Sequence, residues 1–222
     1  MEIKPTLIDS GPLLEKVGLV HRVLTPEGDG PFPTVVLIHG RLGNEDVMWI
    51  FARTIPKEWQ IISVRAIFAE EDGYSWNKPL GRFPMMHEMD EAVTAVSHFI
   101  KTAPQVYPID TSNLFFMGFS QGAATAFATA VRHPGIVKGI AGLVGFFPEA
   151  DDALIATAPL KNLPIFMAVG EKDDTIPLDI SQQSGERLRA AGAWLEYREY
   201  ATGHKLNGKG MRKLQNWWAE VS

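Results

Sequence analysis

Ser120 is the one hydroxyl in Gly118-Phe119-Ser120-Gln121-Gly122, a Gly-x-Ser-x-Gly pentapeptide within an otherwise apolar stretch. A serine on a tight turn between a buried strand and a helix can act as a nucleophile. The turn lifts its hydroxyl above the sheet edge, and the helix N-terminus stabilises negative charge that develops there. Glycine and serine are also common turn formers, so the pentapeptide alone fits an ordinary turn equally well. The rest of the chain must decide between these interpretations.

A serine hydroxyl is a poor nucleophile at neutral pH and needs a base, which in turn needs an acid to orient it. Downstream of Ser120 only His133 and His204 remain. His133 closes the helix predicted to begin after Ser120, which places it at the far end of the sheet. His204 follows the last predicted strand, so we expect it at the same sheet edge as Ser120 and in the role of base. His39 lies upstream within a turn, where a structural imidazole bracing the loop is the favoured interpretation over a base.

Acidic side chains follow the penultimate predicted strand, in Gly170-Glu171-Lys172-Asp173-Asp174-Thr175-Ile176-Pro177. An acid placed there would reach the same edge as His204. Periodicity does not choose between Asp173 and Asp174, and either could instead cap the helix predicted to begin near Leu178.

Acyl chemistry also needs an oxyanion hole, formed by two N–H donors placed where the carbonyl oxygen becomes negative. The backbone N–H of Gln121 directly follows the candidate nucleophile. A second donor is expected from the glycine-containing turn that begins at His39, and the backbone N–H of Arg41 is the candidate.

Two patterns alternate along the chain and predict the elements that position these residues. Short β-branched or aromatic runs predict strands, and longer stretches with apolar residues three or four positions apart predict helices. This alternation is typical of a mostly parallel sheet covered by helices on both faces. The predicted strands are 34–38, 60–66, 113–119, 137–144, 164–169 and 194–200, preceded by a strand at 17–24 that could pair antiparallel at the edge.

Helices are predicted at 85–102, 121–132 and about 209–221. The first carries a polar stripe that could suggest a metal site, but a solvated face is the favoured interpretation; its members are His87, Glu91, Thr94 and His98. The segment 67–84 is predicted to be a long loop. Such loops are often functional, although a surface excursion explains the sequence equally well.

Composition limits the classes of protein that remain. The 222 residues are 45% hydrophobic and show no repeat or linker, which predicts a single domain over 1–222. A net charge of −5 without a long basic run argues against nucleic acid as a partner. The absence of Cys excludes disulfides, thiolate metal sites and a cysteine nucleophile. Pro5 and Asp9 interrupt any signal-like segment and no long apolar run follows, so we expect no integral membrane segment and a cytoplasmic location.

Four ordered motifs together resemble the α/β-hydrolase superfamily. Within it, they resemble the carboxylesterase/phospholipase family that includes acyl-protein thioesterases and lysophospholipases. The resemblance covers about 34–221: His-Gly with a trailing Gly at 39–43, Gly-Phe-Ser-Gln-Gly at 118–122, Gly-x-x-Asp-x-x-Ile-Pro at 170–177, and Gly-His at 203–204. The family pattern places the acid three residues after the Gly of the third motif, which selects Asp173. It also implies that Arg41 and Gln121 supply the oxyanion donors.

The resemblance implies an α/β-hydrolase fold without a large cap domain and a serine hydrolase that works without metal or cofactor. Ser120 would attack a small-molecule ester, His204 would move the proton, Asp173 would orient His204, and water would release the acyl group. Thioesters and lysophospholipids are left open as substrates, and so is a homodimer. The alternatives are a dienelactone-hydrolase-like or other hydrolase, and a non-catalytic α/β-hydrolase that serves as a binding protein.

The chain departs from similar sequences at Leu42, where they often carry glycine, so a reshaped pocket beside the oxyanion hole is expected. Phe146 and Phe147 resemble a family loop that lines the acyl pocket, and Trp76 could close that pocket from the other side. These three aromatic residues could equally belong to the core.

Overall fold

A computed structural model describes residues 4–222 and shows a central eight-stranded sheet with a separate two-stranded hairpin. The spatial order in the large sheet is β1-β2-β4-β3-β7-β8-β9-β10. Pairing is antiparallel for β1–β2 and β2–β4 and parallel for all the others. The strands are β1 (Thr6–Ile8), β2 (His21–Leu24), β3 (Phe32–Ile38), β4 (Gln60–Val64), β5 (Phe68–Glu70), β6 (Gly73–Ser75), β7 (Ile109–Phe119), β8 (Gly139–Leu143), β9 (Pro164–Gly170) and β10 (Trp194–Tyr200).

In the part of the chain that the structure describes, six α-helices cover the two faces of this sheet. They are α1 (Gly11–Val17), α2 (Asp90–Thr102), α3 (Gln121–Arg132), α4 (Asp152–Ala156), α5 (Leu178–Ala190) and α6 (Gly208–Val221). Shorter 3₁₀ segments lie at Val47–Thr54, Met86–Met89 and Ala103–Gln105. The predicted mostly parallel sheet with helices on both faces is confirmed.

The core strands are apolar at nearly every position because both of their faces are buried. In β3, Val36 and Ile38 pack on one side with residues of α2 and α3, whereas Val35 and Leu37 pack on the other side with α6. Side chains alternate across a strand, so a continuous apolar run supplies both layers at once. The sheet is therefore a rigid platform whose carboxyl edge carries the loops of interest.

Most predicted elements are found close to their predicted bounds. Strand β10 and helix α3 begin and end at the predicted residues, and α6 begins one residue earlier than predicted. The predicted strand at 17–24 is wrong in its first half, because Val17 ends α1. Gly18 terminates that helix with a left-handed φ of 81°, and its N–H donates to the carbonyl oxygen of Leu14. The strand at the antiparallel edge of the sheet is β1, which the sequence did not predict.

Two further differences concern the segments on either side of residue 85. The predicted helix at 85–102 begins as the 3₁₀ segment Met86–Met89 and continues as α2, and its stripe of His87, Glu91, Thr94 and His98 is exposed. The predicted long loop at 67–84 contains the hairpin of β5 and β6, whose strands of three residues are too short to show a periodic pattern. Among residues 4–222, no helix is long and apolar enough to cross a membrane.

Candidate active site

Ser120 occupies the turn between β7 and α3 in a strained backbone conformation. Its φ is 53° and its ψ is −119°, a combination that costs on the order of 1–3 kcal/mol for a residue with a side chain. The neighbouring glycines make the turn possible. A Cβ on Gly118 would lie 2.4 Å from the carbonyl oxygen of Gly122, and a Cβ on Gly122 would lie 2.0 Å from that of Ile38. The pentapeptide is therefore a sharp strand-to-helix turn that packs against β3.

His204 and Asp173 form a hydrogen-bonded pair at the same sheet edge. The distance from His204 Nδ1 to Asp173 Oδ2 is 2.7 Å, and the Asp173 side chain is 2% exposed. Its other oxygen, Oδ1, accepts the backbone N–H groups of Thr175 and Ile176, each at 2.9 Å. Asp174 is exposed. The structure thus brings Asp173, and not Asp174, to the imidazole.

Backbone contacts hold together the two loops that carry this pair. The N–H of Lys172 donates to the carbonyl oxygen of Thr202 at 3.0 Å. A Cβ on Gly170 would lie 2.3 Å from the carbonyl oxygen of Gly203, so the close approach requires glycine. The His204 ring then meets the edge of Phe119, the residue before Ser120, with ring centroids 5.2 Å apart.

His133 lies at the other end of α3 from Ser120, directly after its last residue. A helix of 12 residues is about 18 Å long at 1.5 Å per residue. His133 is thus remote from the candidate nucleophile, as the sequence predicts.

The turn after β3 passes directly against Ser120. A Cβ on Gly40 would lie 3.2 Å from Ser120 Cβ, and the N–H of Gly43 closes the turn by donating to the Gly40 carbonyl oxygen at 3.1 Å. Arg41 N belongs to this turn, and Gln121 N opens α3, where the first backbone N–H groups have no partner within the helix. Both predicted oxyanion donors therefore belong to segments that flank Ser120.

His39 is fully buried inside that turn and is bonded through both ring nitrogens. Its Nε2 accepts the backbone N–H of Ala66 at 2.9 Å, and its Nδ1 lies 2.6 Å from the carbonyl oxygen of Gly40. Burial lowers the pKa of His39 to about 4, so the ring is neutral at neutral pH. With both nitrogens engaged, this ring is not available as a base toward Ser120.

Three consecutive residues, Ser75, Trp76 and Asn77, connect the turn after β3 to the start of α3. The sequence did not single them out as a unit. The Gln121 side-chain oxygen accepts the Trp76 backbone N–H at 3.0 Å, and its amide nitrogen donates to Ser75 Oγ at 3.0 Å and to Asn77. The Trp76 indole N–H donates to the His39 carbonyl oxygen at 2.8 Å. The only sequence signal for this connection was the length of the segment 67–84.

A cleft of about 200 Å³ opens beside Ser120. Ser120, Gln121 and Arg41 lie on one side, and Phe83, Phe146 and Ile176 supply apolar surface. The cleft therefore joins a hydroxyl and two candidate amide donors to a small apolar space.

Of the four predicted pocket residues, Phe146 lines this cleft. Trp76 is fully buried beneath the turn, and Phe147 packs toward Phe127 with ring centroids 6.3 Å apart. Leu42 is 44% exposed with a left-handed φ of 62°, and it does not line the cleft. Trp76, Phe147 and Leu42 therefore lie outside the cleft wall in this structure. Phe83, which the sequence did not single out, lies on that wall.

No cluster of three or more His, Asp or Glu side chains suited to a metal ion occurs within residues 4–222. The loops at this sheet edge carry the Ser120 hydroxyl, the imidazole–carboxylate pair of His204 and Asp173, and backbone amides. This set of groups can transfer an acyl group by covalent catalysis.

Comparison with known proteins gives three findings on sequence. A model of the family described as Phospholipase/Carboxylesterase matches residues 21–222. The putative hydrolase MhqD of Bacillus subtilis is 23% identical over 189 residues, covering 84% of this chain and 92% of its own length. A protein of Oryza sativa subsp. japonica named a probable inactive carboxylesterase is 30% identical over 111 residues, covering 49% of this chain. The chain spans less than half the length of that plant relative, 45%.

Among solved structures, the crystal structure of a carboxylesterase from Mesorhizobium loti superimposes with a TM-score of 0.82 at 19% sequence identity. The match covers 97% of this chain and 98% of that one. At this identity the likeness concerns the fold, and it extends over nearly the whole of both chains.

Proposed function

Because this chain belongs to the phospholipase/carboxylesterase family, we propose that it is a serine hydrolase with Ser120, His204 and Asp173 as its catalytic triad. The observation that carries the proposal is the 2.7 Å hydrogen bond from His204 to the buried Asp173, at the sheet edge where Ser120 sits on its strained turn. A carboxylate held by two backbone amides and aimed at an imidazole is the arrangement that orients a catalytic base.

The first half-reaction forms an acyl-enzyme. Asp173 accepts the Nδ1–H of His204, which leaves Nε2 unprotonated and able to take the proton of the Ser120 hydroxyl. Ser120 Oγ attacks the ester carbonyl carbon, and the resulting oxyanion accepts hydrogen bonds from the backbone N–H groups of Gln121 and Arg41. The tetrahedral intermediate collapses, the bond to the alcohol breaks, and His204 returns its proton to the leaving alkoxide oxygen.

The second half-reaction repeats these steps with water in place of Ser120. His204 takes a proton from water, the hydroxide attacks the acyl carbon, and Ser120 leaves with the proton that His204 gives back. The products are one carboxylic acid and one alcohol, and the enzyme is unchanged. The proton that leaves with the alcohol is replaced by one from water, and His204 carries both, so the cycle is balanced without a cofactor.

The dimensions and lining of the cleft support a proposal about the substrate class. Carboxylic esters of modest acyl size suit a space of about 200 Å³ with apolar walls at Phe83, Phe146 and Ile176. Thioesters present the same carbonyl and would enter the same steps, with a thiol as leaving group. Lysophospholipids carry a longer acyl chain, which would need space beyond this cleft.

The competing proposal is a binding protein that has lost catalysis, and one relative of this chain is named a probable inactive carboxylesterase. In this chain the imidazole and the carboxylate are hydrogen-bonded at the sheet edge that also carries the Ser120 hydroxyl, which favours the enzyme. A direct test of nucleophile reactivity separates the two proposals.

The first prediction concerns the nucleophile. Ser120→Ala is expected to lower the rate on a small aryl ester by at least about 10³-fold, because the oxyanion hole and substrate binding retain only a residual acceleration. The measurement is steady-state hydrolysis of a nitrophenyl acetate, with circular dichroism to verify folding. A fluorophosphonate probe should label the wild type and not the variant, since only an activated serine reacts readily.

Ser10→Ala serves as the matched control, since Ser10 is exposed and its hydroxyl donates to the neighbouring Asp9 carboxylate at 3.2 Å. It should keep both labelling and rate. Retention of more than about a hundredth of the wild-type rate by folded Ser120→Ala would overturn the assignment. A wild type that neither labels nor hydrolyses any ester would support the binding protein instead.

A further inference from the structure

We propose that His39 is a positioning residue that sets the orientation of the Gly40–Arg41 peptide, and with it the direction of the Arg41 N–H in the oxyanion hole. This inference rests on the proposed esterase function, in which that N–H stabilises the transition state. His39 would touch neither substrate nor Ser120, and would act through the peptide that it holds.

The tautomer of His39 follows from its partners. The Ala66 backbone N–H can only donate, and it lies 2.9 Å from Nε2, so Nε2 must carry a lone pair. The ring proton of the neutral imidazole is therefore on Nδ1, from which it donates to the Gly40 carbonyl oxygen at 2.6 Å. The depressed pKa of His39, about 4 through burial, keeps this single tautomer at neutral pH.

Holding the Gly40 oxygen determines where the Arg41 N–H points. The two groups belong to one planar trans peptide and so point in opposite directions. The Gly40 oxygen accepts from His39 Nδ1 and also from the N–H of Gly43 at 3.1 Å. Two donors on one oxygen restrain rotation of the peptide plane, and the turn that contains it lies against Ser120.

The ring itself is immobilised within the turn. A Cβ on Gly43 would lie 2.7 Å from His39 Nδ1, so this close packing of ring and turn requires glycine. The carbonyl oxygen of His39 accepts the Trp76 indole N–H at 2.8 Å, and the two rings lie 5.5 Å apart. A ring confined in this way can hold a peptide plane at a defined angle, as preorganised catalysis requires.

Two conservative substitutions test the roles of the two ring nitrogens separately. The amide nitrogen of Asn lies near the position of Nδ1, so His39→Asn can keep the donor to Gly40 while losing the acceptor for Ala66. The longer Gln reaches the Nε2 position, so His39→Gln can accept from Ala66 while losing the donor to Gly40. Both variants are neutral and polar, and each keeps one half of the contacts.

We expect His39→Asn to keep kcat on the aryl ester within a few-fold of wild type. His39→Gln should lose about 10²- to 10³-fold in kcat, which is the typical effect of losing one oxyanion donor, with little change in KM. A trifluoromethyl ketone that forms a covalent oxyanion on the serine should lose affinity for His39→Gln by a similar factor. Circular dichroism and thermal melting of both variants serve as folding controls.

A merely structural His39 gives a different result. In that case kcat falls in both variants alike, in parallel with their stability, and such an outcome overturns the proposal. Full activity of His39→Gln overturns it as well.

The wild type provides a test that needs no variant. Long-range ¹H–¹⁵N spectra distinguish the two imidazole tautomers, and a proton on Nδ1 of His39 is expected. A proton on Nε2 overturns the proposal. A wild type inert toward esters and fluorophosphonate would refute the proposed function while leaving this tautomer intact, so the two failures can be told apart.

Discussion

At the scale of single residues, Asp173 uses its two carboxylate oxygens for different tasks. Oδ1 receives the backbone N–H groups of Thr175 and Ile176, which fix the side chain in the loop after β9. Oδ2 is thereby aimed at His204 Nδ1. The neighbouring Asp174 is exposed to solvent. One carboxylate of the adjacent pair therefore has the burial and the direction that the proposed mechanism needs, and the other has neither.

The second prediction tests this difference. Asp173→Asn should lower kcat by about 10⁴-fold while leaving the fold intact, because an amide that donates toward Nδ1 favours the wrong imidazole tautomer. The same isosteric substitution at the next position, Asp174→Asn, should change kcat by no more than a few-fold. Steady-state kinetics on the same aryl ester measure both variants. The reverse pattern, with Asp174→Asn impaired and Asp173→Asn active, would show that the acid is assigned one residue too early.

At the scale of elements, the segment between β6 and α2 forms the outer wall of the cleft. The ring of Phe83 lies 4.7 Å from that of Phe146, centroid to centroid. This contact separates the Ser120 cleft from a second groove of about 360 Å³, which both phenylalanines also line together with Phe147 and Ile180. The segment is anchored at its C-terminal end, where Glu88 pairs with Arg82 at 2.7 Å and accepts the Met85 N–H at 2.7 Å.

The third prediction concerns acyl-chain length. Phe83→Ala should join the cleft to the second groove and shift the preference toward longer acyl chains. Each additional buried methylene is worth about 0.8 kcal/mol, so kcat/KM should rise roughly fourfold per methylene once the chain enters the groove. A nitrophenyl ester series from acetate to decanoate measures the shift.

Leu80→Ala provides the control for this prediction, since Leu80 lies on the same segment and is 40% exposed. Like Phe83, Leu80 borders the cleft, but it does not line the second groove. An unchanged chain-length profile in Phe83→Ala, or an equal shift in Leu80→Ala, would contradict the role of Phe83 as the partition.

At the scale of the whole molecule, the two apolar layers of the sheet enclose polar residues that must stay uncharged. His39 is one, and His21 is another, with Nδ1 2.7 Å from the Leu19 carbonyl oxygen and Nε2 2.6 Å from the Tyr107 hydroxyl. Burial lowers the pKa of both histidines, to about 4 for His39. Because the unfolded chain has histidine pKa values near 6.5, it binds more protons than the folded chain below that pH.

The fourth prediction follows from this difference in proton binding between the unfolded and folded chains. The free energy of unfolding should be nearly independent of pH above about 7 and should fall as the pH drops from about 6.5 toward 4. For His39 the slope approaches about 1.4 kcal/mol per pH unit, since protonation of the unfolded state opposes folding, and His21 contributes in the same direction. Urea denaturation at pH 7.5, 6.5, 5.5 and 5.0 measures it, above the range in which most carboxylates titrate.

His39→Gln should show a shallower slope than wild type in this window, whatever its absolute stability, because it removes one of the histidines whose pKa is lowered by burial. Exposed His87→Gln is the matched control and should keep the wild-type slope. A wild type whose stability rises on acidification over this range would refute the buried neutral state of these histidines.

The sequence by itself determined the architecture and the chain segments that meet at the carboxyl edge of the sheet. Runs buried on both faces must be apolar throughout, so β3, β7 and β9 are recognisable without coordinates. The glycine spacing around Ser120 is also visible in the sequence. Gly118 and Gly122 are required because a side chain at either would collide with the backbone. The apolar runs are local signals, since each depends on residues within one element, which is why spacing alone reveals them.

Tertiary structure decided the matters that depend on contacts between distant segments. Asp173 and Asp174 are chemically identical neighbours that periodicity does not separate. The family pattern selects Asp173, and the structure shows the physical difference, the approach of the loop carrying His204, 31 residues further on. Trp76 looks like a pocket residue in sequence, yet its two N–H groups connect His39 and Gln121 across separations of 37 and 45 residues. Which side of an aromatic ring faces a cleft, and which proton a buried imidazole carries, are set by the partners that folding brings to it. No local pattern records those partners, because the energy that selects them arises only when the separate segments pack together.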